Sequence, residues 1–281
     1  QRYSVNNFGE VAGVATLDSG VQAIYMADGI QTTIISEAGG EIRGFGAVTD
    51  INDSGQVAYH AILDATGKRM VMRYDGESIT EMTSQESEIV PDLNGIAINE
   101  SGHVAFKAAL AHRTTGICLA DGTNVSVLTS MNLDTDGYLI KPDVSMNANG
   151  KIAFYATSAS GSVVFALENQ NPKAFVDTQG SFKSFVLPLI NDADQIIFEG
   201  TLDEGPWGIF SGPNPLQDKV IKKGDVIGGT TLDNVRIGRG ALNNHGQIVF
   251  WAYCKAGEEV YLATPKPKVN AMPWIHLLFE K

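Results

Sequence analysis

The chain has 281 residues, 43% of them apolar, which suits a sizeable buried core and is too many for a disordered segment. Its 32 acidic residues against 20 basic ones give a formal charge of −12, which repels a polyanion and sets nucleic acid aside as a partner. No apolar run approaches the ~18 residues of a membrane-spanning helix, and the two cysteines, Cys118 and Cys254, are too few for a disulfide framework.

A short pattern, Asn-x-x-Gly-x-(Val/Ile)-x-(aromatic), recurs along the chain. In order, it begins at Asn6, Asn52, Asn99, Asn147, Asn191 and Asn243, with gaps of 46, 47, 48, 44 and 52 residues. Two copies depart from it: the first has Gly13 in the aromatic position, and the fifth has Asp194 in place of glycine. Each copy is followed by an alternating segment such as RMVMRYDG from Arg69 or SVVFALEN from Ser162. A third segment follows in most copies, such as ESITEMTS from Glu77. All are β-rich and bounded by Gly, Asn or Asp, and helical periodicity is absent. With the stretch before each asparagine, this makes about four short strands per repeat, the arithmetic of a propeller blade. The expected architecture is all-β: a six-bladed β-propeller of about four antiparallel strands per blade, formed by residues 1–265. Cys118 and Cys254 then lie on opposite sides of the ring, too far apart to bond, and read as small buried side chains.

Within the motif, glycine supplies the positive φ of a tight hairpin, and the asparagine side chain bonds loop amides; Asp194 suits the site because Asp also enters the left-handed region. The asparagines therefore read as structural, or alternatively as a ring of amides around one mouth of a channel. Alternation places Val57, Val104, Ile152, Ile196 and Ile248 on one face with Tyr59, Phe106, Phe154, Phe198 and Phe250, as core between blades. The small Ala12, Ala58, Ala105 and Ala153 suit a close-packed opposite face. The next position on the strand varies: Val14, His60, Lys107, Tyr155, Glu199, Trp251. Such an address is where a repeat protein would place function, and equally what an unconstrained solvent position looks like.

The repeats resemble those of secreted bacterial tandem-repeat proteins, the HAF-type extracellular repeats and related anchor-bearing exported propellers. The resemblance rests on INDSGQVAY from Ile51, GICLADG from Gly116, GIF from Gly208 and KKGDVIGG from Lys222, and covers nearly the whole chain. It implies a propeller-like fold and export, to the periplasm, the cell surface or the medium, and implies no catalytic site. The start at Gln1 and the low cysteine content agree with a processed, exported chain. The tail from Lys266 to Lys281 falls outside the repeat. Its apolar Trp274–Phe279 run reads as a strand completing the last blade or as a docking segment for a partner.

No HExxH, paired CxxC, Walker loop or G-x-S-x-G elbow is present. The histidines, His60, His103, His112, His245 and His276, show no ligand spacing. The strand preceding each asparagine is expected to be innermost. Counting back along it brings Arg2, Arg239, Asp50, Asp143 and, less regularly, Asp92 to the axis. These charges can bind an anionic or sugar ligand, hold Ca²⁺ through carboxylate oxygens, or pair with one another and plug the channel. The variable residues His60, Lys107, Tyr155, Glu199 and Trp251 form a second candidate set. The function expected is a non-enzymatic binding or interaction module for a carbohydrate, small molecule or protein. The alternatives are a propeller hydrolase or lyase with an axial carboxylate or Ca²⁺ site, and a structural subunit of a surface assembly.

Overall fold

The structure, a computed structural model, describes residues 3–255 and 257–265. It is an all-β propeller of six blades. Blades one to five are four-stranded antiparallel meanders whose strands follow in sequence order. The second blade, for instance, runs Ile42–Ile51, Val57–Leu63, Arg69–Tyr74 and Ile79–Glu81. In the sixth, the described residues supply three strands, Asn234–Leu242, Ile248–Cys254 and Gly257–Ala263. A small hairpin, Val226–Ile227 with Thr230–Thr231, is inserted before the sixth blade and accounts for the longer last repeat. No helix among the described residues is long and apolar enough to cross a membrane. The proposed roles of the tail, residues 266–281, lie outside the described residues.

The repeated motif forms the turn between first and second strands, and its glycines adopt the left-handed region, as at Gly55 with φ 72°; Asp194 does the same with φ 60°. The asparagine side chain caps this turn. In the second blade, Asn52 Oδ1 accepts from the Gln56 backbone amide at 2.9 Å. The same side chain also leaves its own blade. Asn52 Nδ2 donates to the Asn99 carbonyl at 2.9 Å, Asn6 to that of Asn52 at 3.0 Å, Asn147 to that of Asn191 at 3.1 Å, and Asn191 to that of Asn243 at 2.9 Å. An outer tier runs parallel to these bonds: the Asp53 carboxylate accepts from the Asn7 amide, and Asp192 accepts from the Ala148 amide. Four of the six turns are thus bonded to the next around one mouth of the propeller.

Apolar packing fills the seams. Five core clusters lie between blades one and two, two and three, three and four, four and five, and five and six. In four of them, the small face of one blade receives the aromatic of the next: Ala12 shares a cluster with Tyr59, Ala58 with Phe106, Ala105 with Phe154, Ala153 with Phe198; in the fifth, Ile197 stands with Phe250. Fully burying one such ring contributes about 2–3 kcal/mol. Cys118 is buried, where burial pushes its thiol up to about 12, whereas Cys254 is half-buried rather than in the core; both are free thiols.

Asn52 separates the two roles of the motif. Replacing Asn52 by Asp keeps the acceptor for Gln56 but removes the donor and sets a carboxylate oxygen against the Asn99 carbonyl. Chemical denaturation of the variant is expected to show a loss of about 2–3 kcal/mol.

Candidate functional site

The innermost strands do not alternate cleanly. Their pairing slips between Phe45 and Thr49, Ile140 and Val144, Val186 and Leu189, and Ile237 and Leu242, and opposite Phe106–Ala108 in the third blade. These bulges re-aim side chains and contain Asp92, Asp143 and Arg239. From the sixth blade Arg239 crosses the axis. It donates to the carbonyls of Asn94 at 2.7 Å, Ile96 at 3.1 Å and Val144 at 3.4 Å, and lies 3.3 Å from the Asp143 carboxylate. It lines both of the cavities that lie to either side of it.

The first chamber, on the side of the asparagine turns, is a polar funnel of 390 Å³ with Asp50 and Arg239 in its wall. The Asp50 carboxylate accepts from the Ile98 amide of the next blade at 2.9 Å. Burial pushes Asp50 up to about 6, opposed by that hydrogen bond and by Arg239. Asp92 lines neither chamber but pairs with Lys107 at 2.7 Å. Burial pushes the Asp92 carboxyl up, but the Lys107 hydrogen bond and charge hold it below the usual range. Arg2 lies outside the described residues.

The second chamber is larger, 1180 Å³, and opens at the seam between blades six and one. Here the core pattern fails, and the repeat shows why. The aromatic that the other blades offer is replaced by Gly13, and the facing alanine by Val249. The ring of Tyr3 turns in over Gly13, where a Cβ would lie 2.8 Å from its Cδ1. Across the chamber, Trp251 packs over Gly238, whose absent side chain makes room for the indole at 3.0 Å. Trp251 is 39% exposed, Val249 40% and Tyr3 47%, where the equivalent Ala58, His60, Ile197 and Glu199 are buried.

The variable address is thus not a solvent position. It faces the bulge of an innermost strand, and His60, Tyr155 and Glu199 are buried there. Tyr155, Glu199 and Trp251 converge on the second chamber with Asp143 and Arg239; His60 and Lys107 do not. Glu199 accepts from the Ile237 amide at 2.6 Å and pairs with Arg236 at 3.1 Å. Burial raises its carboxyl pKa, against the pull of those two partners. Arg236 itself lies 4.5 Å over the Trp207 ring, a cation–π contact that fixes the guanidinium. Arg236 and Ser4 were not legible as site residues; the only trace was their closeness to Arg239 and Asn6 in sequence. The Ser4 hydroxyl lines the chamber, buried and without a hydrogen-bond partner among the described residues. No group of three or more His, Cys, Asp or Glu side chains able to hold a metal forms among the described residues, and arginines pair with Asp143 and Glu199.

Residues 1–261 match a family model described as a family of unknown function, DUF7453. The chain belongs to DUF7453. No curated protein matches it. Among solved structures the DUF7453 chain is similar to a prolyl endopeptidase, with TM-score 0.55 at 15% identity, and to prolyl oligopeptidase B from Galerina marginata, with TM-score 0.56 at 9% identity. In both cases 94% of the chain is covered, and it spans 41% of the other chain's length. At such identities the likeness shows the propeller fold alone. A looser likeness, TM-score 0.45 at 12% identity, covering 98% of the chain and 82% of the other, relates it to BP39L lectin from Burkholderia pseudomallei.

Two variants probe the buried charges. Arg239→Met withdraws the cation beside Asp143 and the donor to three carbonyls, and is expected to cost about 3 kcal/mol or more in chemical denaturation, part of it recovered by adding Asp143→Asn. His60 is fully buried, neither ring nitrogen has a hydrogen-bond partner among the described residues, and burial lowers its pKa from 6.5 to about 3. The unfolded chain therefore binds the extra proton between those values, so the neutral ring's stability is present above pH 6.5 and lost as pH falls towards 3. Thermal melts should show His60→Leu gaining on the wild type steadily as pH is lowered from 7 to about 4.

Proposed function

We propose that this DUF7453 chain is an exported, non-enzymatic binding module that takes a small ligand in the chamber between blades six and one. One observation carries the proposal: among the described residues the five other seams are filled with apolar side chains, and this one is left open over Trp251, Tyr3 and Val249. A largely preformed, mostly apolar hollow with a few convergent polar groups is the general form of a ligand site. The carboxylates within it serve recognition better than catalysis, because each already faces an arginine and Glu199 also accepts a backbone amide. Export is supported by the resemblance of the repeats to those of exported propellers.

The alternative, a hydrolase or lyase, has its own motif in the closeness of Asp143 to the raised Glu199, which Asp143 pushes further up. Differential scanning fluorimetry against a mixed set of small metabolites, oligosaccharides and short peptides decides between them. The expected outcome is a raised melting midpoint with at least one class in the wild type. The rise should be lost in Val249→Trp, which sets a bulky ring in the exposed wall of the chamber. Chemical conversion of the stabilising compound, abolished by Glu199→Gln, would instead establish an enzyme.

A further inference from the structure

The chamber has a definite chemistry. Among the described residues its charges pair, Glu199 with Arg236 and Asp143 with Arg239, so an ion of either sign gains little from them. Its exposed walls are aromatic and aliphatic: the Trp251 indole lies on one side, held by Gly238, and the Tyr3 ring on the other, folded over Gly13. Between them stand fixed hydrogen-bonding groups. Each carboxylate oxygen has two lone pairs, and the bonds from Arg236 and the Ile237 amide leave acceptor capacity on Glu199. The Ser4 hydroxyl, 2% exposed, has no partner among the described residues. A buried hydroxyl left unsatisfied is costly unless something brought to the site bonds it.

A ligand complementary to this set is neutral, carries many hydroxyl groups and has a flat C–H face. We infer that the chamber binds a neutral saccharide, stacked on Trp251, with its hydroxyls donating to the Glu199 and Asp143 carboxylates and meeting the Ser4 hydroxyl. The inference rests on the binding function proposed above and names its ligand class. The position supports it a second way. The repeat departs from its own pattern at Gly13, Val249 and Trp251, and the fold gathers all three at one seam. Other seams bury alanine or isoleucine where Val249 stands exposed. The chamber's 1180 Å³ accommodates more than one sugar ring.

The test is isothermal titration of the full chain with a panel of neutral mono- to tetrasaccharides, the matching uronic acids, and tetrapeptides rich in aliphatic residues. The expected result is binding of at least one neutral saccharide, with affinity insensitive to salt between low and physiological ionic strength, since paired charges give little long-range field. Trp251→Ala should weaken it about tenfold or more, and Trp251→Phe should keep most of it. Glu199→Gln, which retains an acceptor but removes the negative charge, should weaken it less than Trp251→Ala does. Trp251 is partly exposed, so its variants are expected to fold, and circular dichroism verifies this. Binding of peptides without any saccharide would overturn the ligand class while leaving a binding module in place. Saccharide binding unchanged in folded Trp251→Ala would overturn the site. Binding of no class at all would overturn both this inference and the function on which it stands.

Discussion

The propeller hangs on an asparagine side chain used at both ends. Its oxygen holds the turn that starts the second strand, and its amide nitrogen reaches the corresponding turn of the next blade. Asp or Ser could cap the turn equally well, but neither has both the acceptor and the amide donor at that reach. This accounts for the asparagine at Asn6, Asn52, Asn147 and Asn191, where both bonds form, while Asn99 and Asn243 keep the cap of their own turn and the glycine partner tolerates replacement by Asp194. The bonds lie where the residues are mostly buried, as at Asn52, Asn147 and Asn191, so losing a donor there leaves a carbonyl unsatisfied. Blade orientation around the axis is thereby fixed at one mouth by polar contacts. The seams below it are fixed by rings packed against alanines.

With the ring so held, one seam can differ without loss of the whole. The stretch from Gly13 to Trp251 brings together the places where the repeat departs from itself, and they produce a hollow rather than a core. A repeat protein holds its fold through neighbour contacts, so five complete seams suffice to carry a sixth that is open. The variable address then serves two purposes. His60 and Lys107 are absorbed into interblade packing and a salt bridge, while Tyr155, Glu199 and Trp251 supply the wall of the chamber.

The axis is governed by Arg239. Its guanidinium sits among carbonyls of the third and fourth blades, opposite its own, and Arg239 lines both the polar funnel and the aromatic chamber. Of the axial candidates, Asp143 and Arg239 meet each other, Asp50 faces the funnel, and Asp92 turns away to Lys107. Opposite signs in low dielectric pair with the nearest partner, so the axial charges settle as ion pairs and backbone contacts rather than as a cluster of carboxylates.

By itself the sequence determined the six blades, the strand order within them, the turn geometry at each glycine and the aromatic core. All of these follow from local alternation and from the φ preferences of Gly, Asn and Asp, and each repeat states them anew. It also placed Asp143 and Arg239 on one address, though by a count along a regular strand that the bulges interrupt. Only the tertiary structure decided which departures from the repeat share a seam, that the asparagine amides cross between blades, and that Ser4 and Arg236 belong to the same chamber as Trp251. The asparagine bonds depend on how consecutive blades dock, and the chamber depends on ring closure between the first blade and the last, more than two hundred residues apart; no local pattern encodes contacts that exist only once blades have packed and the circle is complete.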